Sequence, residues 1–524
     1  MRGLSNIKSH SISCGKLRTR RFATEVEKSS KKWKPVVGLE IHAQISTASK
    51  LFSGASTNFG EPVNSCVSFF DCATPGTLPV LNKKCVEAGV LTALALSSQL
   101  NEVSLFDRKH YFYADLPSGY QITQQRKPLA VGGELKFSVF TPGIHKEPYL
   151  KSSKLKQLQL EQDSGKSLHE EPRGRSLVDL NRAGVPLMEF VFEPDLSDGE
   201  EAAALVKELS LVLQRLNTCS CKMEEGALRV DANISLHRPN DPLGVRTEVK
   251  NIFSIRAVAA AIKYEIERQT ALLEKGEKIV NETLSWDAVR HKTVSMRDKE
   301  EKQDYRFMPE PNLPPLRLHL RKDEKNYRNL VDVPRLKTQL PELPEQLRSN
   351  LRGSFSLPPQ IADRIVNNAV LFQLFGDIMR ENPKRSPKAV SNILLGELLE
   401  YTNKNKIELD NLLISPRQIG EMIDLLESEI INIATIKKLW EILREDSTAL
   451  PTRIVEENGW EQINDDDTLR QLCQSVLDDD PSLLKAFKAG KKKVFRAMLG
   501  PVFKRSEGRA NMGKVVKILQ DLLK

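Results

Sequence analysis

Two stretches decide the fold: PVVGLEIHAQIST (35–47) and GALRVDANISLHR (226–238). Both alternate strictly. In the first, Val37, Leu39, Ile41, Ala43 and Ile45 share one face, and Glu40, His42 and Gln44 the other. In the second, Leu228, Val230, Ala232, Ile234 and Leu236 oppose Arg229, Asp231, Asn233, Ser235 and His237. A period of two is the signature of a strand with one face in a core. A solvated face would ordinarily carry Thr, Lys or Gln. Here the polar faces carry acids, an imidazole, a guanidinium and an amide.

Two further stretches repeat the pattern. GVRTEVKNIFS (244–254) sets Glu248 and Lys250 against Val249, and Ser254 then opens a helical run. LQLEQDSGK (158–166) sets Glu161 and Asp163 against Leu158 and Leu160, with Gln162 on the apolar side if the strand persists that far. A strand turning into a helix N-terminus offers backbone N–H groups to an anion. Hard cations such as Mg²⁺ take carboxylates together with substrate phosphates. Phosphoryl transfer asks mainly for positioning and charge neutralisation. The four polar faces therefore predict a Mg²⁺–nucleotide site in a mostly antiparallel β domain.

Outward from these strands, the character of the chain changes. PEPNLPPLR (309–317) carries four prolines and predicts a boundary. Beyond it helical periodicity dominates. SPRQIGEMIDLLESEI (415–430) starts with Ser as cap and Pro in the first turn. A second boundary is expected near 446–451. The expected division is a leader at 1–30, a catalytic domain at 31–315, a helical domain at 316–447 and a helical tail at 448–524.

The 524 residues carry a net charge of +9, unevenly spread. Residues 1–21 hold Arg2, Lys8, Lys16, Arg18, Arg20 and Arg21 and no acid. An Arg-rich, Ser-bearing, acid-free start reads as a mitochondrial transit peptide, the alternative being a basic tail for nucleic acid. Residues 481–524 hold twelve Lys or Arg against Glu507 and Asp521. AGKKKVFRAMLGPVFKRSEGR (489–509) predicts contact with a polyanion backbone; a solvated helical face is the alternative. No apolar run reaches the ~18 residues of a membrane span. Seven scattered cysteines exclude a disulfide scaffold, and no C-x-x-C pair supports a structural zinc. Gly165-Lys166-Ser167 lacks the upstream glycine of a phosphate-binding loop.

GLEIHAQISTASKLFS (38–53), PGTLPVLNK (75–83), FDRKHYFYADLPSGYQIT (106–123), LEQDSGKSLHE (160–170), LVDLNRAGVPLMEF (177–190), KMEEGALRVDANIS (222–235), TEVKNIFS (247–254) and DYRFMPEPNLPPL (304–316) occur in this order. Together they resemble the B-subunit family of the tRNA-dependent amidotransferases, from about Val36 to the C-terminus.

The resemblance implies an α+β fold. A cradle domain of partly open antiparallel β structure is flanked by helices, and an all-helical domain and a small helical tail follow. It also implies an ATP- and Mg²⁺-dependent reaction that phosphorylates the γ-carboxylate of glutamate mis-acylated onto tRNA(Gln). Ammonia then displaces phosphate to give glutaminyl-tRNA(Gln). A partner amidase subunit supplies the ammonia, and a small third subunit makes up the heterotrimer. The leader points to the mitochondrial form.

By the family's motifs, Glu40, His42, Glu161 and Glu248 are expected at the metal and phosphates. Their strand faces add Arg229, Asp231, Asn233 and Lys250, and alternation adds Asp163 beside Glu161. His42 is expected as a ligand or, near its ordinary pKa, as a base. Arg306 of the DYRF motif is a further nucleotide-site candidate, with a structural ion pair as the alternative. Tyr120 and Gln121 are candidate lining residues. Bacterial relatives often carry an acid where this chain has Gln162, which leaves that position open.

Overall fold

The computed structural model describes residues 33–296, 305–480, 487 and 494–523. The chain divides into two compact units, 1–345 and 346–524.

The first unit is built on a ten-stranded sheet. At its centre lies β1 (Lys34–Gln44). β5 (Pro186–Phe192) pairs with it on one side and β6 (Leu228–His237) on the other, both antiparallel. Beyond β5 comes β4 (Tyr149–Gln162), and beyond β6 comes β7 (Thr247–Ile252), again antiparallel. β8 (Thr283–Asp287) then pairs with β7 in parallel. The four alternating stretches are thus four strands of one sheet. A second, smaller sheet is organised by β2 (Val103–His110), which pairs with β3 (Tyr120–Lys127).

Alternation does its work on the apolar side. Val37, Leu39, Ile41 and Ala43 are at most 1% exposed, as are Leu228, Val230, Ala232 and Ile234. They pack with α1 (Gly199–Arg215) and α2 (Ile255–Glu274) in one continuous core. Burying a side chain of this size contributes about 1.5–3 kcal/mol. A one-residue slip would send Glu40 and His42 into that core, so register is strongly specified. Both helices start on a side-chain cap: Asp198 accepts from Glu201 N–H, and Ser254 from Ala257 N–H.

The proline-rich stretch is a turn inside this unit. β9 (Arg306–Pro309) pairs with β2, and after the prolines β10 (Leu316–His319) returns to pair with the same strand. Proline removes ladder donors locally but leaves the flanking residues free to pair. The expected break at 315 therefore falls within the first unit.

The second unit is helical, with two hydrophobic clusters, Leu347–Val455 and Leu469–Leu523. The expected boundary at 447 falls before helix Pro451–Asn458, whose Ile454 and Val455 join the first cluster. The start at Ser415 is a full capping box with Gln418, and Pro416 takes the first turn. No described helix is long and apolar enough to cross a membrane.

Candidate active site

The polar faces of the central strands form the floor of a cavity of about 350 Å³. Cross-strand register sets the neighbours. His42 lies between Arg229 on β6 and Glu189 on β5, and Glu40 lies opposite Asp231. Glu161 projects from β4 and Lys250 from β7. The second sheet adds Lys109 and Tyr111, and Tyr305 comes from just before β9.

At one end, His42 Nε2 stands 3.5 Å from a Glu161 oxygen and 4.0 Å from a Glu189 oxygen. One ligand atom from each of the three lies within 4.8 Å of the others. Glu161 accepts from Thr123 Oγ1 at 3.1 Å, and Glu189 accepts a short hydrogen bond from Gln159 Nε2. Burial, then Arg229, Lys109 and Lys250, lower the His42 pKa to about 3. The imidazole is therefore neutral near pH 7, with a lone pair open to a ligand, and is too weakly basic to take up a proton there. Burial and the adjacent Glu161 push the Glu189 carboxyl well above its usual range. A carboxylate, a second carboxyl that holds its proton more tightly than usual and a neutral imidazole face one another, with no Lys or Arg in ion-pair reach of the two acids among the described residues. Like charges this close resist joint ionisation until a cation joins them.

The other predicted residues sit around this cluster. Asp163 accepts from Arg229 Nη2 at 3.0 Å, and Arg182 Nε stands 3.4 Å from its other oxygen. That oxygen makes no hydrogen bond among the described residues, and neither do Arg229 Nε and Asn233 Oδ1. Asp231 accepts from the Asn251 N–H at 2.8 Å, and burial raises its pKa to about 6. Asn233 donates to Glu40 at 3.2 Å, and Lys250 stands 3.7 Å from Glu248. Glu40 and Glu248 are therefore engaged with Asn233 and Lys250 and are not members of the His42 cluster. The four residues expected together at the metal separate into two neighbouring groups. Arg306 is exposed and does not line the cavity; its neighbour Tyr305 does.

A second cavity, of about 340 Å³, shares Asp163 with the first and is lined by Gln162. Glu161 and Gln162 thus face different spaces, as alternation along β4 requires. Tyr120 also faces this second cavity, beneath the Arg108 guanidinium at 4.2 Å from its ring centre. Gln121 lines the first.

The sequence matches the family model described as "GatB/GatE catalytic domain" over residues 35–323 and the "GatB domain" model over 373–523. It is 53% identical to the B subunit of the mitochondrial glutamyl-tRNA(Gln) amidotransferase of Aedes aegypti, over 97% of each chain. The human mitochondrial B subunit is 46% identical over 96% of this chain and 90% of its own. The B subunit of the aspartyl/glutamyl-tRNA(Asn/Gln) amidotransferase of Rickettsia rickettsii is 41% identical over 95% and 99%.

This chain belongs to the amidotransferase B-subunit family. As a member it is an enzyme subunit of the transamidating type, and like its animal relatives it is mitochondrial. The cavity lies wholly within the part matched by the catalytic model.

Sequence reasoning missed Glu189, a member of the acidic cluster. PLMEFVF (186–192) reads as a buried apolar strand, yet it holds one carboxylate at the position facing His42. An acid among residues that otherwise belong to a core is the signal that could have found it. Lys109, Tyr111, Tyr305 and Arg182 come from loops and the second sheet, which carry no period to read.

At the other end of the chain, Lys491, Lys492 and Lys493 lie outside the described residues, as does the expected leader at 1–30. Within the described part, Arg505 is held by Ser475 and Asp479, and Arg509 by the Gly459 carbonyl. Lys504 is exposed on the last turn of the helix Val494–Arg505.

Proposed function

We propose that this chain, with its partners, converts glutamyl-tRNA(Gln) to glutaminyl-tRNA(Gln), and that ATP-dependent phosphorylation of the glutamyl γ-carboxylate takes place in the cavity on the central sheet. The observation that carries the reading is that His42, Glu161 and Glu189 each offer a ligand atom within 4.8 Å of the others, with Arg229, Lys109 and Lys250 lining the adjoining cavity. Carboxylates crowded together beside cations suit a divalent ion and a polyphosphate.

The donor set fits Mg²⁺. It offers four carboxylate oxygens from Glu161 and Glu189 beside one imidazole nitrogen. When bound, Mg²⁺ would neutralise charge on the transferring phosphoryl group. The chain's own residues supply the rest. Glu161, Glu189 and His42 hold the ion. Arg229, oriented by Asp163, presents its fork to phosphate oxygens, as Lys250 presents a point charge. Glu40, Asp231 and Glu248 keep Lys250 charged and positioned, since their negative charges favour its ammonium form over the cost of burial. A carboxylate becomes an acyl donor only once its oxygen can leave, which phosphorylation achieves.

In this reading a partner amidase subunit releases ammonia from glutamine, and a small third subunit makes up the heterotrimer. Residues 1–30 direct import, and the basic C-terminal segment contacts the tRNA backbone. Relatives named for both aspartyl- and glutamyl-tRNA extend the substrate range by the same chemistry.

The test is ATP consumption and product formation by the purified complex with glutamyl-tRNA(Gln), glutamine and Mg²⁺. The wild type forms glutaminyl-tRNA. The Glu161→Gln variant forms none while still binding the tRNA. A fully active Glu161→Gln complex would remove this cavity from the reaction.

A further inference from the structure

The turn at residues 219–221 leads into β6, and the reaction makes no use of it. It carries two cysteines one residue apart, whose side chains both turn inward onto the same short stretch of backbone. Cys221 has a left-handed backbone (φ 57°), which few non-glycine residues adopt. This kink curls its side chain back over the intervening peptide. The Cys221 N–H donates to Cys219 Sγ at 3.2 Å, and Cys221 Sγ lies 3.7 Å from the Cys219 carbonyl oxygen. Cys219 and Cys221 are 2% and 9% exposed, under an exposed Ser220.

We propose that Cys219 and Cys221 form an oxidisable dithiol, a modification site at which a peroxide closes the turn as a disulfide. The Cys219 thiolate attacks a peroxide oxygen; the O–O bond breaks, water leaves, and sulfur is oxidised to sulfenic acid. The Cys221 sulfur then attacks Cys219 and displaces a second water. Two thiols lose two hydrogens, and the peroxide is reduced to two waters. The hydrogen bond from Cys221 holds Cys219 below the ordinary thiol pKa and raises Cys221, which assigns attack to the first and resolution to the second. Among the other described cysteines, burial raises Cys85 to about 12 and Cys473 to about 11, so both are less reactive.

Closure would be felt at the site. Cys219 Sγ donates to the Ala227 carbonyl, which also accepts from Gln44 N–H at the end of β1. The neighbouring Thr218 carbonyl accepts from Ser46 N–H. The turn therefore clamps the ends of the two strands that carry His42 and Arg229.

The experiment treats the full chain in its complex with hydrogen peroxide, alkylates free thiols and maps the peptides. Cleavage after Arg215 and Lys222 releases LNTCSCK (216–222), which contains both cysteines. The expected peptide is unalkylated and two hydrogen masses lighter, and dithiothreitol returns it to the doubly alkylated form. Amidation falls severalfold on treatment and recovers with dithiothreitol, and Cys221→Ser, active before treatment, is insensitive. A doubly alkylated peptide at a peroxide dose that oxidises the exposed Cys72 would overturn the proposal. So would sulfinic acid at Cys219 with Cys221 still alkylatable. The mass readout stands whether or not the cavity performs the proposed phosphorylation.

Discussion

Each of the two units buries charge, and they do so in opposite ways. In the helical unit, Arg385 is 7% exposed and fully answered. It donates to both oxygens of Asp424 (2.8 and 2.7 Å), to Glu381 (2.8 Å) and to the Ile378 carbonyl (2.9 Å). Gly420 leaves the room: a Cβ there would lie 2.3 Å from the guanidinium. In the cradle unit, Glu161 is 3% exposed and faces another carboxylate and a neutral imidazole. The first arrangement is complete within the chain; in the second, no Lys or Arg makes an ion pair with the acids among the described residues, and on the proposed reading a divalent cation and its anionic companion complete it. Burial alone therefore does not mark a site; burial without an internal counter-charge does.

The largest test of this contrast is Glu189→Gln. It keeps the shape but replaces a carboxyl that can ionise to meet a cation with an amide that cannot. Amidation by the complex should fall about 100-fold or more, with melting temperature held or raised and activity partly restored by higher Mg²⁺. An unchanged rate would reduce Glu189 to a structural acid like those around Arg385.

Next comes Arg385→Ala in the helical unit. Removing an answered cation leaves Asp424 and Glu381 without it, at a cost of about 3 kcal/mol; both carboxylates are partly exposed, which lets water soften the loss. Denaturant unfolding should show the loss, while amidation by the complex keeps its rate constant at temperatures where the variant stays folded.

The smallest effect separates stability from function in one residue. Asp231 has its carboxyl raised from 3.8 to about 6 by burial, so its charged form destabilises the fold. An acid with a raised folded pKa binds its proton more tightly folded than unfolded. Its charge therefore costs nothing below about pH 4, and the cost grows until the pH passes about 6. Asp231→Asn, whose amide oxygen can keep the Asn251 N–H bond, should gain about 1–3 kcal/mol at pH 7 and nothing at pH 3.5, while amidation is lost. Equal melting curves at both pH values would break the argument.

How much of this was legible in the sequence follows from period. Where a strand has one face in a core, alternation alone separates Glu40 and His42 from Leu39 and Ile41, and it marks the four strands and their facing; of the ten site candidates, six (His42, Glu161, Asp163, Arg229, Asp231 and Lys250) line one cavity. A motif's context was legible too: Ser254 and Ser415 announced helix starts that the fold uses. Alternation gives a face but not a neighbour. That His42 meets Glu161 and Glu189 rather than Glu40 and Glu248 depends on β5 lying beside β1, and pairing between strands some 150 residues apart has no local signal. Glu189 was hidden for the same reason, one acid in a strand apolar on its other positions. The proline stretch misled because it interrupts pairing without ending the sheet, and only the return of Leu316–His319 to β2 shows that. Local periodicity fixes which atoms leave the core. Long-range pairing decides which of them are brought within reach of one another.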